Sequence, residues 1–190
     1  MAGNIHEAVI RRFESLAIEQ LIDIRRGNDQ VAADFARDIH AVGSPKIERD
    51  GGSHCPDGSF AHDNAAELGV ILEVSYSQKR QDLQFLTDDY ILGSNGLTQV
   101  IIGIDLAYQG KEARVIMWRP NKTKENRETT TLTTMKTVEE TFRDTHGNLV
   151  NGKKKLRIWL KDFGNKLNCP GIQKANKVIT ISFAQLYELV

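Results

Sequence analysis

Apolar residues recur every three to four positions near the start of the chain: Val9, Ile10, Phe13, Leu16, Ala17, Leu21 and Ile24. This spacing predicts an amphipathic helix over 5–26, stopped by Gly27-Asn28. A second helix is expected over 29–41, with Val31, Ala32, Phe35 and Ile39 as its stripe, ahead of the breaker Gly43-Ser44-Pro45. Then the period changes. Lys46 to Arg49 reads as a first strand, residues 50–53 as a turn, and Cys55 to His62 as a short strand carrying Asp57. Val70 to Ser77 is the clearest strand, followed by a helix over 78–92 that Gly93-Ser94-Asn95-Gly96 closes. Thr98 to Tyr108 is rich in β-formers, and Gln109-Gly110-Lys111 reads as a hairpin turn into Ala113 to Trp118. From 119 to 137 the chain turns polar and Thr-rich, which reads as a surface loop or insertion, with an edge strand as the other reading. Val138 to Arg143, Lys155 to Lys161 and Val178 to Ser182 are further strands, and Phe183 to Val190 a terminal helix. The order predicts an α+β (broadly α/β) fold, with one domain over 1–190 and a central sheet flanked by helices.

Within Val70 to Ser77, alternation places Val70, Leu72, Val74 and Tyr76 on an apolar face. Ile71, Glu73, Ser75 and Ser77 form the other face, which becomes polar toward the end of the strand. A carboxylate in such a strand is either solvated on an open face or held by a partner, because burying it alone costs several kcal/mol. Asp57 sits in Pro56-Asp57-Gly58. That tripeptide is a turn signature in its own right, since Pro fixes φ, Asp bonds nearby backbone and Gly accepts positive φ. Taken together, two carboxylates brought to neighbouring strand ends are the minimum equipment for a divalent cation.

Charge and composition narrow the partners. The 190 residues carry 25 basic and 25 acidic side chains, so no global field announces a polyanion, although a local basic face is compatible with zero net charge. No signal-peptide pattern opens the chain, and no apolar run approaches a membrane span, so an intracellular protein, cytoplasmic or nuclear, is expected. Two cysteines, Cys55 and Cys169, make no disulfide framework. With His54 and His62 they also match no closed zinc spacing; either histidine could instead contact a substrate phosphate.

Pro56-Asp57, an intervening loop, and Glu73-Val74-Ser75 on a hydrophobic strand resemble the PD-(D/E)XK nuclease superfamily, the restriction-endonuclease-like fold. The surrounding order is similar too: a helix, the Asp strand, the Glu strand, a helix, further strands. The form Glu-Val-Ser-Tyr-Ser-Gln, followed by Leu83 and a β-rich run, is similar to that of a large group of uncharacterised, mostly fungal members. The resemblance covers about Ala8 to Trp118. It implies a central mixed sheet flanked by helices, with Asp57 and Glu73 ligating Mg²⁺ or Mn²⁺ for hydrolysis of DNA phosphodiesters. An acidic residue of the first helix often completes such a site, and Glu14, at the edge of the apolar stripe, is the candidate; Glu19 points away. The family's lysine falls two residues after the second acid, and here that position is Ser75. A serine orients water but supplies no positive charge to a phosphoryl transition state. Gln78 and Lys79 open the next helix, and Lys79 is the candidate substitute for that charge.

Away from this motif, Lys153 to Lys161 is the one basic cluster with aromatic interleaving. Alternation puts Leu156, Ile158 and Leu160 inward and Lys155, Arg157, Trp159 and Lys161 outward, a stripe suited to a phosphate backbone and a stacked base, or to plain solvation. Three functions follow from these residues: a metal-dependent nuclease acting on DNA, an inactive domain of the same fold that binds a protein partner or forms a homodimer, and a nucleic-acid-binding domain without hydrolysis.

Overall fold

The computed structural model describes residues 2–49, 52–76, 80–107, 110–124, 130–164, 169 and 171–190. Helix α1 (Ala2–Arg25) and helix α2 (Gln30–Arg37) open the chain. Asp29 caps α2 by accepting the Ala32 N–H at 3.1 Å. The second helix is shorter than its apolar spacing suggested. It ends at Asp38, and Ile39–Ala41 forms strand β1 instead, pairing with β4 (Gly58–His62). Arg25 fixes that break, donating to the carbonyls of Ala36 at 3.0 Å and Ile39 at 2.7 Å. Strands β2 (Ile47–Arg49) and β3 (Gly52–His54) form a small hairpin, so half of the expected turn at 50–53 is strand.

The main sheet has six strands in the order β1-β4-β5-β6-β7-β8. Strand β5 (Val70–Tyr76) runs antiparallel to β4 and parallel to β6 (Val100–Leu106), the crossover being helix α3 (Arg80–Gly93). A parallel pair demands such a crossover, since no hairpin can make it. The sheet is therefore mixed and flanked by helices, and α1, β4, β5, α3 and β6 follow one another as the resemblance implies. Its two faces bury different sets. Val70, Leu72 and Val74 join Phe13, Ala17 and Leu21 of α1 in one core. Ile71 joins Leu83, Tyr90 and Ile91 of α3, with Ile101, Ile116 and Trp118, in the other.

Where it is described, the polar stretch at 119–137 is strand, as its edge-strand reading had it; 125–129 lie outside the described residues. Strands β7 (Ala113–Lys124) and β8 (Thr130–Arg143) form a long antiparallel pair on either side of them. Strand β6 covers β7 only from Ala113 to Trp118, so the outer halves project as a two-stranded ribbon. The β-branched threonines of β8 favour that extended form. After β8, strands β9 (Lys155–Trp159) and β10 (Val178–Ser182) form a second hairpin. A 3₁₀ turn (Leu160–Phe163) follows β9, and α4 (Phe183–Tyr187) closes the described chain. Among the described residues no helix is long and apolar enough to cross a membrane.

Candidate functional site

Asp57 lies in the bend just before β4, one residue short of the strand expected to carry it. Two donors hold its Oδ2: the Val74 N–H of β5 at 2.7 Å and His6 Nε2 of α1 at 3.0 Å. The bond to Val74 draws Asp57 to the stretch of β5 that carries Glu73. Glu73 is only 7 % exposed, and its Oε1 accepts the Tyr90 hydroxyl of α3 at 2.9 Å. The Asp57 carboxyl lies near enough to act on Glu73, and it favours the protonated form of that side chain. Burial, then the neighbouring Asp57 charge, pushes Glu73 up to about 8, against a smaller opposing pull from the Tyr90 hydroxyl. Tyr90 is pushed upward as well, by its own burial and then by Glu73, so it remains a donor at any ordinary pH.

Glu14 is half-buried rather than exposed. Its carboxyl comes so close to Gly58 that a β-carbon there would lie 3.3 Å from Oε1, with Ile10 Cγ2 at 3.2 Å. Glycine directly after Asp57 thus leaves room for the α1 acid to approach the same corner. Burial raises the Glu14 carboxyl, with the Arg11 charge opposing. Three acids from α1, the bend before β4 and β5 therefore surround one region. Among the described residues no three His, Cys, Asp or Glu side chains converge as a ready-made metal cage. The donor set still suits a hard cation. Mg²⁺ commonly takes one or two carboxylates and keeps several waters, and Asp57 and Glu73 supply such a pair of oxygen ligands.

Ser75 does not face a vacant lysine position. Its hydroxyl donates to Asp105 Oδ1 at 3.3 Å, Asp105 being the residue directly opposite on β6 and almost fully buried. Where the resemblance calls for a cation, this chain places a hydroxyl backed by another acid. Gln78 and Lys79 lie outside the described residues.

The remaining candidates are not brought to this corner. Lys155 and Arg157 are exposed on β9 and Leu156 and Ile158 buried, as alternation predicts. Lys161 lies in the 3₁₀ turn, its Nζ 5.5 Å from the centre of the Trp159 ring. That turn packs against Gly69, at the opposite end of β5 from the carboxylates, about 13 Å away for four residues of extended chain. His62 is buried, stacked on Phe35 with ring centres 4.3 Å apart, and its Nδ1 accepts the Asn64 N–H at 3.1 Å. Burial lowers its pKa, so it is a neutral core residue rather than a phosphate contact. His54 turns toward Asp89 at 3.5 Å and packs edge-on to Tyr90. Reasoning from sequence missed His6 and Tyr90. Tyr90 carried a signal, since it shares the Leu83 face of α3 and a buried tyrosine hydroxyl needs an acceptor. His6 carried none.

Among solved structures, one similar to this chain is that of a candidate nuclease belonging to DUF820 from Anabaena variabilis ATCC 29413. It is 12 % identical, with 97 % of this chain and 81 % of that one covered, at a TM-score of 0.48. No family model matches the chain. No curated protein matches it either.

Proposed function

We propose that the chain is a metal-dependent nuclease, or a domain derived from one, whose substrate is a DNA phosphodiester. The observation that carries this reading is that the Val74 N–H of β5 holds Asp57, from the bend before β4, close enough to Glu73 for the two acids to act on each other, with Glu14 of α1 against the neighbouring Gly58. Asp57 and Glu73 would hold Mg²⁺ or Mn²⁺, with Glu14 available on the α1 side. When bound, such an ion polarises a phosphoryl oxygen and makes bound water a nucleophile near neutral pH. The chain's own side chains do the positioning. Val74 N–H and His6 fix the Asp57 carboxylate, and the Tyr90 hydroxyl fixes that of Glu73 and limits its contact with water. Cation binding must displace the proton that Glu73 holds, so affinity rises with pH through the range in which Glu73 titrates.

Ser75 and its bond to Asp105 favour a second reading, a catalytically inactive domain of the same fold. Such a domain would bind a protein partner or a second copy, or hold nucleic acid through Lys155, Arg157, Trp159 and Lys161. Incubation of the purified chain with supercoiled plasmid and Mn²⁺ separates the two. Nicking that Asp57→Ala and Glu73→Ala each reduce at least a hundredfold supports the nuclease. Intact plasmid with both the native chain and the variants leaves the inactive domain.

A further inference from the structure

A cavity of about 480 Å³ opens at the end of β5 remote from the carboxylates, within the usual size range of small-ligand sites. Leu97, Pro120 and Ile172 give it apolar walls, and Lys122 and Lys161 line it from two different elements. Lys122 belongs to the projecting half of β7, Lys161 to the 3₁₀ turn after β9. Both side chains are held in place. The Lys122 stem lies over Gly96, where a β-carbon would come within 3.1 Å of Cε. Gly96 also has φ +71°, a backbone that glycine adopts without strain. Lys161 rests against the Trp159 ring.

The charge in this cavity is unbalanced. Among the described residues that line it the one acid, Asp162, is already saturated: Arg119 donates to both carboxylate oxygens at 2.9 Å, and the Trp159 N–H to Oδ2 at 2.7 Å. Neither Lys122 nor Lys161 has an ion-pair partner among the described residues. The same is true of Lys124 further along the ribbon and of Lys155 and Arg157 on β9. In a chain of zero net charge, Lys122 and Lys161 at the cavity are thus accompanied by Lys124, two residues along β7 on the same face as Lys122, and by Lys155 and Arg157 on the strand that leads to Lys161, with Trp159 half-exposed between. A small anion would satisfy the cavity but not the flanking cations. A polymer with regularly spaced negative charge and flat faces satisfies both.

We infer that this cavity is a phosphate subsite for a nucleic-acid strand, Lys122 and Lys161 clamping one backbone phosphate while the apolar wall receives a base. This rests on the nucleic-acid substrate proposed above and adds where the strand is gripped away from the carboxylates. No bond is made or broken there. The β7–β8 ribbon is one jaw of the grip.

Fluorescence anisotropy with a labelled oligothymidylate, in EDTA and across a salt series, tests it without requiring cleavage. The native chain should bind, and Lys122→Gln with Lys161→Gln should weaken binding about tenfold and flatten the log–log salt slope by about 1.4, for two lost phosphate contacts on a single strand. Lys122→Arg with Lys161→Arg should restore both, and Lys46→Gln should bind as the native chain does. Circular dichroism melting confirms that each variant folds. No binding by the native chain, or equal binding by the Gln variant, overturns the subsite. A strand gripped in EDTA yet uncut in Mn²⁺ keeps the subsite and removes the nuclease. Cleavage that Glu73→Ala abolishes, with binding indifferent to Lys122 and Lys161, keeps the nuclease and removes the subsite.

Discussion

Glu73 keeps a proton in the folded chain that it gives up in the unfolded one. Its carboxyl titrates near 8 when folded against 4.5 as a free group. Between those values the folded state binds more protons, so stability falls as pH rises through that window and the loss is complete above it. Urea unfolding at about pH 5 and pH 9 should show the native chain losing stability toward the higher pH and Glu73→Gln losing much less. Equal losses in the two proteins would exclude Glu73 as the source. Tyr90→Phe removes the hydroxyl that steadies the ionised carboxylate. It should cost about 1.5 kcal/mol above the Glu73 titration and less below it, and shift the carboxyl's infrared titration upward. Pairing also explains what the sequence could not disclose here. Asp57 and Glu73 were visible as acids in unusual settings, but a reader of the chain cannot see that Asp57 bonds Val74 or that His6 reaches it from the first helix.

At the scale of elements, strands with buried faces were legible and those that bury little were not. Strand β5 is apolar on both faces up to Glu73 because α1 and α3 each claim one. The outer halves of β7 and β8 bury little and meet α3 through polar groups, Thr134 bonding Asp88, so Arg119 to Lys124 and Thr130 to Thr137 read as polar chain although they pair as strands. Strand β1 was hidden for another reason: Ile39 continues the helical spacing of α2, and only Arg25, a residue of α1, pulls it into the sheet. How closely α3 seats on the sheet is set by Gly103, the residue of β6 directly opposite Glu73. A β-carbon there would lie 2.7 Å from Leu83 Cδ2 and 3.0 Å from the Trp118 ring. Gly103→Ala should therefore cost about 2 kcal/mol by overpacking, read as a lower urea midpoint with unchanged slope. A neutral effect would mean that α3 rides more loosely than the geometry indicates.

Across the whole molecule, a buried charged clamp ties the six-stranded sheet to the β9–β10 hairpin and the turn that follows β9. Arg119 reaches from β7 to both oxygens of Asp162 and to the Arg157 carbonyl at 3.2 Å. Asp162 is nearly fully buried, so removing the arginine leaves a carboxylate with only backbone support. Arg119→Met should destabilise the chain by about 3 kcal/mol, whereas Arg119→Met with Asp162→Leu should recover much of that loss. A double variant no better than the single would show that the pair contributes specific structure rather than charge balance. Sequence reading placed both residues outside its candidate sites, because each looks like an ordinary surface charge until the hairpin is folded over the sheet.

The first helix has partners that arrive late. Gln20 of α1 holds the backbone of Thr180 twice, donating to its carbonyl and accepting its N–H, both at 2.8 Å and across 160 residues of sequence. At a synthesis rate of about 5–20 residues per second, roughly 8–32 s separate the emergence of those two partners from the ribosome. During that wait the helix that carries His6 and Glu14 lacks the strand that closes over it. The nascent chain thus carries its first helix without that double tie until translation has passed β10.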